Sequence, residues 1–274
     1  MSRAQKTPLS LVRMKGKGRK IAMLTAYDYP TAQILGEADV DAILVGDTLG
    51  MVVLGHETTL PVTVDDVIRA AASVRRARPQ ALVIGDLPFL SYTVSVSEAV
   101  RNAGRMVKEA GVGAVKLEGG RAMLPVVRAL VRASIPVMGH LGLTPQSILR
   151  FGGYKVQAKN PRAANRLIEA AKALEEAGCF AVVLEAIPAD VAARVTEALS
   201  IPTIGIGAGP DCDGQVLVTH DMLGIYDDFT PKFVKRYAEL RETMREAFAA
   251  YIKEVKDGTF PGPEHCYDSD PKDK

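Results

Sequence analysis

The sequence predicts a (β/α)8 barrel, an α/β fold, with helical segments added at its N- and C-terminal ends. Three observations carry that prediction. Eight short apolar, β-branched runs recur along the chain, amphipathic stretches lie between many of them, and the 274 residues come close to the roughly 250 typical of this architecture. The runs are near-continuously apolar rather than alternating, as in parallel strands buried on both faces. An open doubly wound sheet is the competing arrangement; strand count and length favour the barrel.

The elements are justified in order. The first twenty residues carry Arg3, Lys6, Arg13, Lys15, Lys17, Arg19 and Lys20 and no acid. They contain no apolar stretch of the kind a secretory signal needs. A basic, acid-free start faintly resembles an organelle transit peptide; a solvated arm, or a short helix packed on the barrel or on a neighbouring subunit, is the plainer reading. Strands are expected at Ile21–Ala26, Ala42–Gly46, Ala81–Gly85, Ala114–Leu117, Pro136–Gly139, Ala181–Leu184, Pro202–Ile206 and Gln215–Thr219. Thr63-Val-Asp-Asp66 and Ser95-Val-Ser-Glu98 fit the capping-box pattern ahead of helical runs. Asn160 followed by Pro161 sets a cap and a first-turn proline before an Ala-rich helix. Gly111 and Gly178 stand where a helix commonly ends in a left-handed residue. Pro231–Lys256 reads as one or two further helices. With no linker in view, residues 1–257 read as a single domain and 258–274 as a flexible tail.

Composition excludes several classes. With 47% hydrophobic and 24% charged residues the chain is neither disordered nor built of spanning helices, since no stretch approaches the roughly 18 apolar residues such a helix needs. A net charge of +2, from 34 basic and 32 acidic residues, argues against a dedicated nucleic-acid binder. Cys179, Cys212 and Cys266 lie far apart with no C-x-x-C, so neither a disulfide framework nor a zinc ribbon is supported. A reducing cytoplasm is the simplest setting.

In such a barrel the active site lies at the carboxyl ends of the strands. Five consecutive strands end in ionisable groups: Gly46-Asp47-Thr48, Gly85-Asp86, Lys116-Leu-Glu118, Gly139-His140 and Leu184-Glu185. Asp47, Asp86 and Glu118 are hard oxygen ligands of the kind Mg²⁺ prefers, although Asp47 and Asp86 could equally cap the following helices. The glycines before these two aspartates would let a ligand approach the backbone. Lys116 and Glu118, two apart on one strand, share a face; they form either a buried ion pair or a lysine for an anionic substrate beside a metal-binding glutamate. His140 is either structural or catalytic. Glu185 follows an apolar run whose poor hydration suits a general base, or it partners a nearby cation. Gly205-Ile-Gly-Ala-Gly209-Pro210 fails the dinucleotide fingerprint and makes either a ligand approach or a tight turn.

Several stretches resemble one known family. They are Thr25-Ala-Tyr-Asp28, Val45-Gly-Asp-Thr-Leu-Gly50, Gly55-His, Thr59-Leu-Pro-Val62, Asp86-Leu-Pro-Phe89, Val115-Lys-Leu-Glu-Gly-Gly120, Gly139-His-Leu-Gly-Leu-Thr-Pro-Gln146, Phe151-Gly-Gly-Tyr-Lys-Val-Gln157, Leu184-Glu185 and Ile204-Gly-Ile-Gly-Ala-Gly209. In order and over nearly the whole chain, they resemble the ketopantoate hydroxymethyltransferases of pantothenate and coenzyme A biosynthesis. The resemblance implies a decamer of (β/α)8 barrels. It implies transfer of a hydroxymethyl group from 5,10-methylenetetrahydrofolate to 3-methyl-2-oxobutanoate through a Mg-stabilised enolate, giving 2-dehydropantoate. It places Mg²⁺ at Asp47 and Asp86 with Glu118 in the metal's shell, the keto acid on Asp47, Thr48, Asp86 and Lys116, and proton abstraction on Glu185. Thr48 stands where the family usually has Ser, keeping the hydroxyl and adding a methyl. Cys266 also departs from the family pattern. Two rival functions are a Mg-dependent carbon–carbon lyase or phosphonomutase of the isocitrate lyase type, and a barrel that only binds ligands. The loop cysteine of the former has no counterpart here, and the charged strand ends argue against the latter.

Overall fold

A computed structural model describes residues 5–267; the expectations that fall on Arg3 and on 268–274 lie outside the described residues. Eight parallel strands close in chain order: β1 (Ile21–Thr25), β2 (Ala42–Val45), β3 (Leu82–Asp86), β4 (Ala114–Glu118), β5 (Val137–Gly142), β6 (Ala181–Glu185), β7 (Thr203–Ile206) and β8 (Gly214–Leu217). The ring is sealed by β8 against β1, with Ile21 opposite Gly214. All eight expected strands are present. Their ends shift by up to three residues, because Asp86, Glu118 and Glu185 belong to the strands themselves and β5 runs on to Gly142.

Strand parity sorts the side chains into two apolar layers. Ile21, Met23, Ala42, Leu44, Leu82, Ile84, Ala114, Met138, Ala181, Val183, Ile204 and Val216 fill the barrel. Their neighbours Ile43, Val45, Val83, Val115, Leu117, Val137, Val182 and Leu184 face the surrounding helices. Short helix α1 (Pro8–Gly16) is opened by a reciprocal Thr7–Ser10 capping box and buries Leu11 within the interior layer. Its Lys15 reaches Asp213 at 2.9 Å. The basic N-terminal stretch therefore includes a helix packed on the barrel.

The outer layer comprises α2 (Tyr29–Glu37), α3 (Leu49–Val52), α4 (Val64–Arg76), α5 (Val96–Arg105), α6 (Leu124–Arg132), α7 (Ile148–Phe151), α8 (Pro161–Glu176) and α9 (Ala189–Ala198). Thr63 and Asp66 form the expected capping box of α4, worth about 1 kcal/mol. Ser95 caps α5 through the Glu98 amide. Asn160 accepts from Ala163 N at 2.9 Å to start α8. No helix separates β7 from β8. The glycine-rich connection there turns tightly: a Cβ on Gly207 would strike the Phe233 ring at 2.6 Å and one on Gly209 the Ala189 Cβ at 2.5 Å.

Among the described residues, 5–219 with 231–234 form one compact unit, and 220–230 with 235–267 a second. Helix α10 (Thr219–Met222) is a single turn, and α11 (Leu240–Asp257) is the long helix of the second unit. Helix was expected from Pro231, yet it begins only at Leu240. The preceding loop folds back instead, its Arg236 bonded to Asp227, Thr230 and Glu239.

Candidate active site

The same parity that fills the barrel aims the ionisable groups. Asp86 follows Leu82 and Ile84 on β3, Lys116 and Glu118 follow Ala114 on β4, His140 follows Met138 on β5, and Glu185 follows Ala181 and Val183 on β6. Each stands above the apolar interior, at a carboxyl end. Register brings Asp86 opposite Lys116 and Glu118 opposite His140. Asp47, two residues beyond β2, joins them through its amide, which donates to Asp86 Oδ2 at 3.3 Å. Neither aspartate caps a helix: Asp47 lies before Thr48, which occupies the cap position of α3.

Lys116 is 4% exposed and Asp86 1%, so each needs its partner. The Lys116 ammonium lies 2.8 Å from both oxygens of Asp86 and 3.9 Å from Glu118 Oε1. Burial works against its charge, but Asp86, Glu118 and Asp47 outweigh that and raise its pKa. Lys116 and Glu118 thus form the buried ion pair that one of the two sequence readings expects. The imidazole of His140 bridges two acids, with Nδ1 3.3 Å from Glu118 Oε1 and Nε2 3.2 Å from Glu185 Oε2. These are ion-pair contacts rather than aligned hydrogen bonds. Burial and Lys116 oppose its protonation; the two acids prevail, and the pKa is pushed up to about 9. Glu185 is the most open of these acids, with its side chain 14% exposed.

Asp47 has the opposite problem. Burial first, then repulsion from Asp86 and Glu118, push its pKa well above the usual carboxylate range, against the weaker pull of Lys116 and Gln146. Asp86 is raised too, chiefly by burial. Four carboxylates thus face two cations, Lys116 on Asp86 and His140 between Glu118 and Glu185, which leaves Asp47 without a close one. This surplus of hard oxygen donors fits a divalent cation. Among the described residues no group of three His, Cys, Asp or Glu side chains surrounds a single point. Mg²⁺ does not require such a cage, since it keeps waters and takes only one or two carboxylates.

Two residues escaped the sequence reading. Tyr92 donates to Gln146 Oε1 at 2.7 Å, and Gln146 in turn reaches Asp47 and Glu118. Gln146 lies inside a quoted motif and Tyr92 in none, and neutral side chains carry no charge signature. One expectation is corrected: the space at Gly85 serves no ligand. Its missing Cβ faces outward, where Met106 Sδ would lie at 3.2 Å and Val112 at 3.4 Å, because odd positions of β3 point to the helices. Thr48 stands half-buried beside Asp47. Cys179 and Cys212 are buried thiols whose pKa values burial raises, Cys179 to about 12.

A family model described as ketopantoate hydroxymethyltransferase matches residues 5–263. The chain belongs to the ketopantoate hydroxymethyltransferase family. A relative in Syntrophus aciditrophicus named 3-methyl-2-oxobutanoate hydroxymethyltransferase is 58% identical over 97% of this chain and 98% of its own. One of the same name in Moorella thermoacetica is 57% identical over the same shares. Among solved structures, 2,3-dimethylmalate lyase, a PEP mutase/isocitrate lyase superfamily member, aligns with a TM-score of 0.61 at 18% identity, over 99% of this chain and 93% of that one. Phosphonopyruvate hydrolase in complex with oxalate and Mg⁺⁺ aligns at 0.62 and 12% identity, over 96% and 92%. At such identities the likeness is one of fold. The ketopantoate hydroxymethyltransferase motifs quoted from the sequence include every strand-end acid of this barrel mouth.

Proposed function

We propose that this chain transfers a hydroxymethyl group from 5,10-methylenetetrahydrofolate to 3-methyl-2-oxobutanoate, a step of pantothenate biosynthesis. The observation that carries the proposal is the convergence of Asp47, Asp86 and Lys116 with the His140–Glu185 pair at one barrel mouth, in a chain of this family. Overall, keto acid, methylenetetrahydrofolate and water give 2-dehydropantoate and tetrahydrofolate. A C–C bond forms at C3 as both methylene C–N bonds of the folate break; the C3 proton and one water proton balance the two hydrogens gained by the folate nitrogens, and water supplies the hydroxyl group.

Asp47 and Asp86 would hold Mg²⁺, with Glu118 beside them. When bound there, the ion supplies a Lewis acid that stabilises negative charge on the keto acid. Lys116, fixed by Asp86, attracts the substrate carboxylate, and Thr48 offers a hydroxyl next to Asp47. Glu185 takes the C3 proton, its orientation set by His140. Burial of the mouth excludes water from the acids and strengthens each of these interactions. The resemblance also carries a decameric assembly into this reading, and the three separated cysteines a reducing, cytoplasmic setting. No helix among the described residues is long and apolar enough to cross a membrane.

The test is an assay for 2-dehydropantoate with and without folate cosubstrate and chelator. Product formation should require both the folate and a divalent ion. Cleavage of the keto acid without folate would point to a lyase instead.

A further inference from the structure

Gln146 lies in the 3-10 turn that follows β5 and is buried, 6% exposed. Every polar atom described for its side chain is engaged. Nε2 donates to Asp47 Oδ2 at 2.9 Å and to the Leu87 carbonyl at 3.0 Å, and Oε1 accepts from the Tyr92 hydroxyl at 2.7 Å. The Gln146 backbone N–H donates to Glu118 Oε2 at 3.0 Å. One residue therefore grips one oxygen on each of two carboxylates.

The amide cannot be turned over. Leu87 O only accepts, so the nitrogen must face it. Reversal would set the amide oxygen against both that carbonyl and the Asp47 carboxylate. Tyr92 enforces the same choice. Its hydroxyl accepts from the Glu118 N–H at 3.2 Å, which leaves its single proton for Gln146 Oε1, the nearer of its acceptors.

The geometry points to Gln146 as a positioning residue: it occupies Asp47 Oδ2 and Glu118 Oε2, and so presents Asp47 Oδ1 to a divalent cation and Glu118 Oε1 to Lys116 and His140. This rests on the proposed cation site at Asp47 and Asp86, and it adds a neutral residue to that site. Such partners of metal-binding side chains typically change metal affinity by about 10- to 100-fold.

The test uses Mn²⁺ as the probe, titrated into the full chain with 3-methyl-2-oxobutanoate present, by calorimetry and by electron paramagnetic resonance. Gln146→Met keeps length and bulk, removes the side-chain amide that holds Asp47, and leaves the backbone N–H on Glu118. We expect its Mn²⁺ affinity to fall about 10- to 100-fold at a temperature where circular dichroism shows it folded, with an altered Mn²⁺ spectrum. A purely structural role would lower Tm and leave affinity and spectrum alone, and that result overturns the proposal. If Gln146→Met does not fold, Gln146→Asn is the deciding variant, since its amide falls one methylene short; wild-type affinity there also overturns the proposal. Should the wild type itself bind no Mn²⁺, the cation site falls and the role of Gln146 toward it falls with it.

Discussion

His140 Nε2 lies 3.2 Å from Glu185 Oε2, across the β5–β6 seam of the barrel. The contact orients the one acid at this mouth that remains partly open to solvent. If Glu185 is the base, Glu185→Gln keeps the shape and the His140 contact but cannot accept a proton. Exchange of the C3 proton of 3-methyl-2-oxobutanoate with deuterated water should then fall by about 10²- to 10⁴-fold, while calorimetry still detects keto-acid binding. Unimpaired exchange removes Glu185 from the base role.

The same imidazole makes stability depend on pH. Its pKa is pushed up to about 9 in the fold, above the roughly 6.5 of an unfolded histidine. The folded chain therefore holds the proton more tightly. The resulting stabilisation is complete below about 6.5 and is lost as pH rises through about 9. In chelator, denaturant unfolding should show stability declining across that window, by an amount on the order of 1–3 kcal/mol. His140→Gln should flatten the decline; an unchanged slope would show that other groups cause it.

Asp47 and Asp86 should respond oppositely to removal. Asp86 is the close partner of buried Lys116, and deleting it leaves that charge stranded, at about 3–5 kcal/mol. Asp47 is desolvated and repelled by its neighbours, so Asp47→Asn should raise Tm in the metal-free protein by a few degrees, the scale of about 1 kcal/mol. Metal-dependent keto-acid binding should nevertheless vanish in Asp47→Asn, and in Asp47→Ala combined with Asp86→Ala. A gain in Tm with binding retained would move the cation elsewhere.

The barrel was legible because parallel strands buried on both faces leave apolar runs, and Val-rich segments such as Ala181-Val-Val-Leu184 show them plainly. The charged half of the site was legible for a related reason. Ionisable groups such as Lys116 and Glu118 interrupt those runs at intervals of two, which fixes their shared face. What stayed hidden depends on the third dimension. Gly85 looked like a ligand approach, yet its parity points it at Met106. Gln146 lies 99 residues from the Asp47 it holds, and no local pattern marks a neutral amide for that task. Of the helical span expected over Pro231–Lys256, only the part from Leu240 forms; ahead of it Arg236 ties its own loop together.

Gly142 supplies a last prediction. It sits at the end of β5 with φ +94°, and a Cβ there would lie 2.2 Å from the Glu185 carbonyl oxygen and 2.9 Å from Ile187. The Leu143 amide meanwhile donates to that same carbonyl at 2.9 Å, so the backbones cannot separate without losing a bond. Gly142→Ala combines a strained left-handed backbone with a clash against main-chain atoms, neither of which a side-chain rotation relieves. The loss should be about 2 kcal/mol or more in urea unfolding. Because the atom struck belongs to Glu185, residual folded enzyme should also exchange the C3 proton more slowly. A Gly142→Ala protein with wild-type stability would mean that β5 and β6 part more readily than their register indicates.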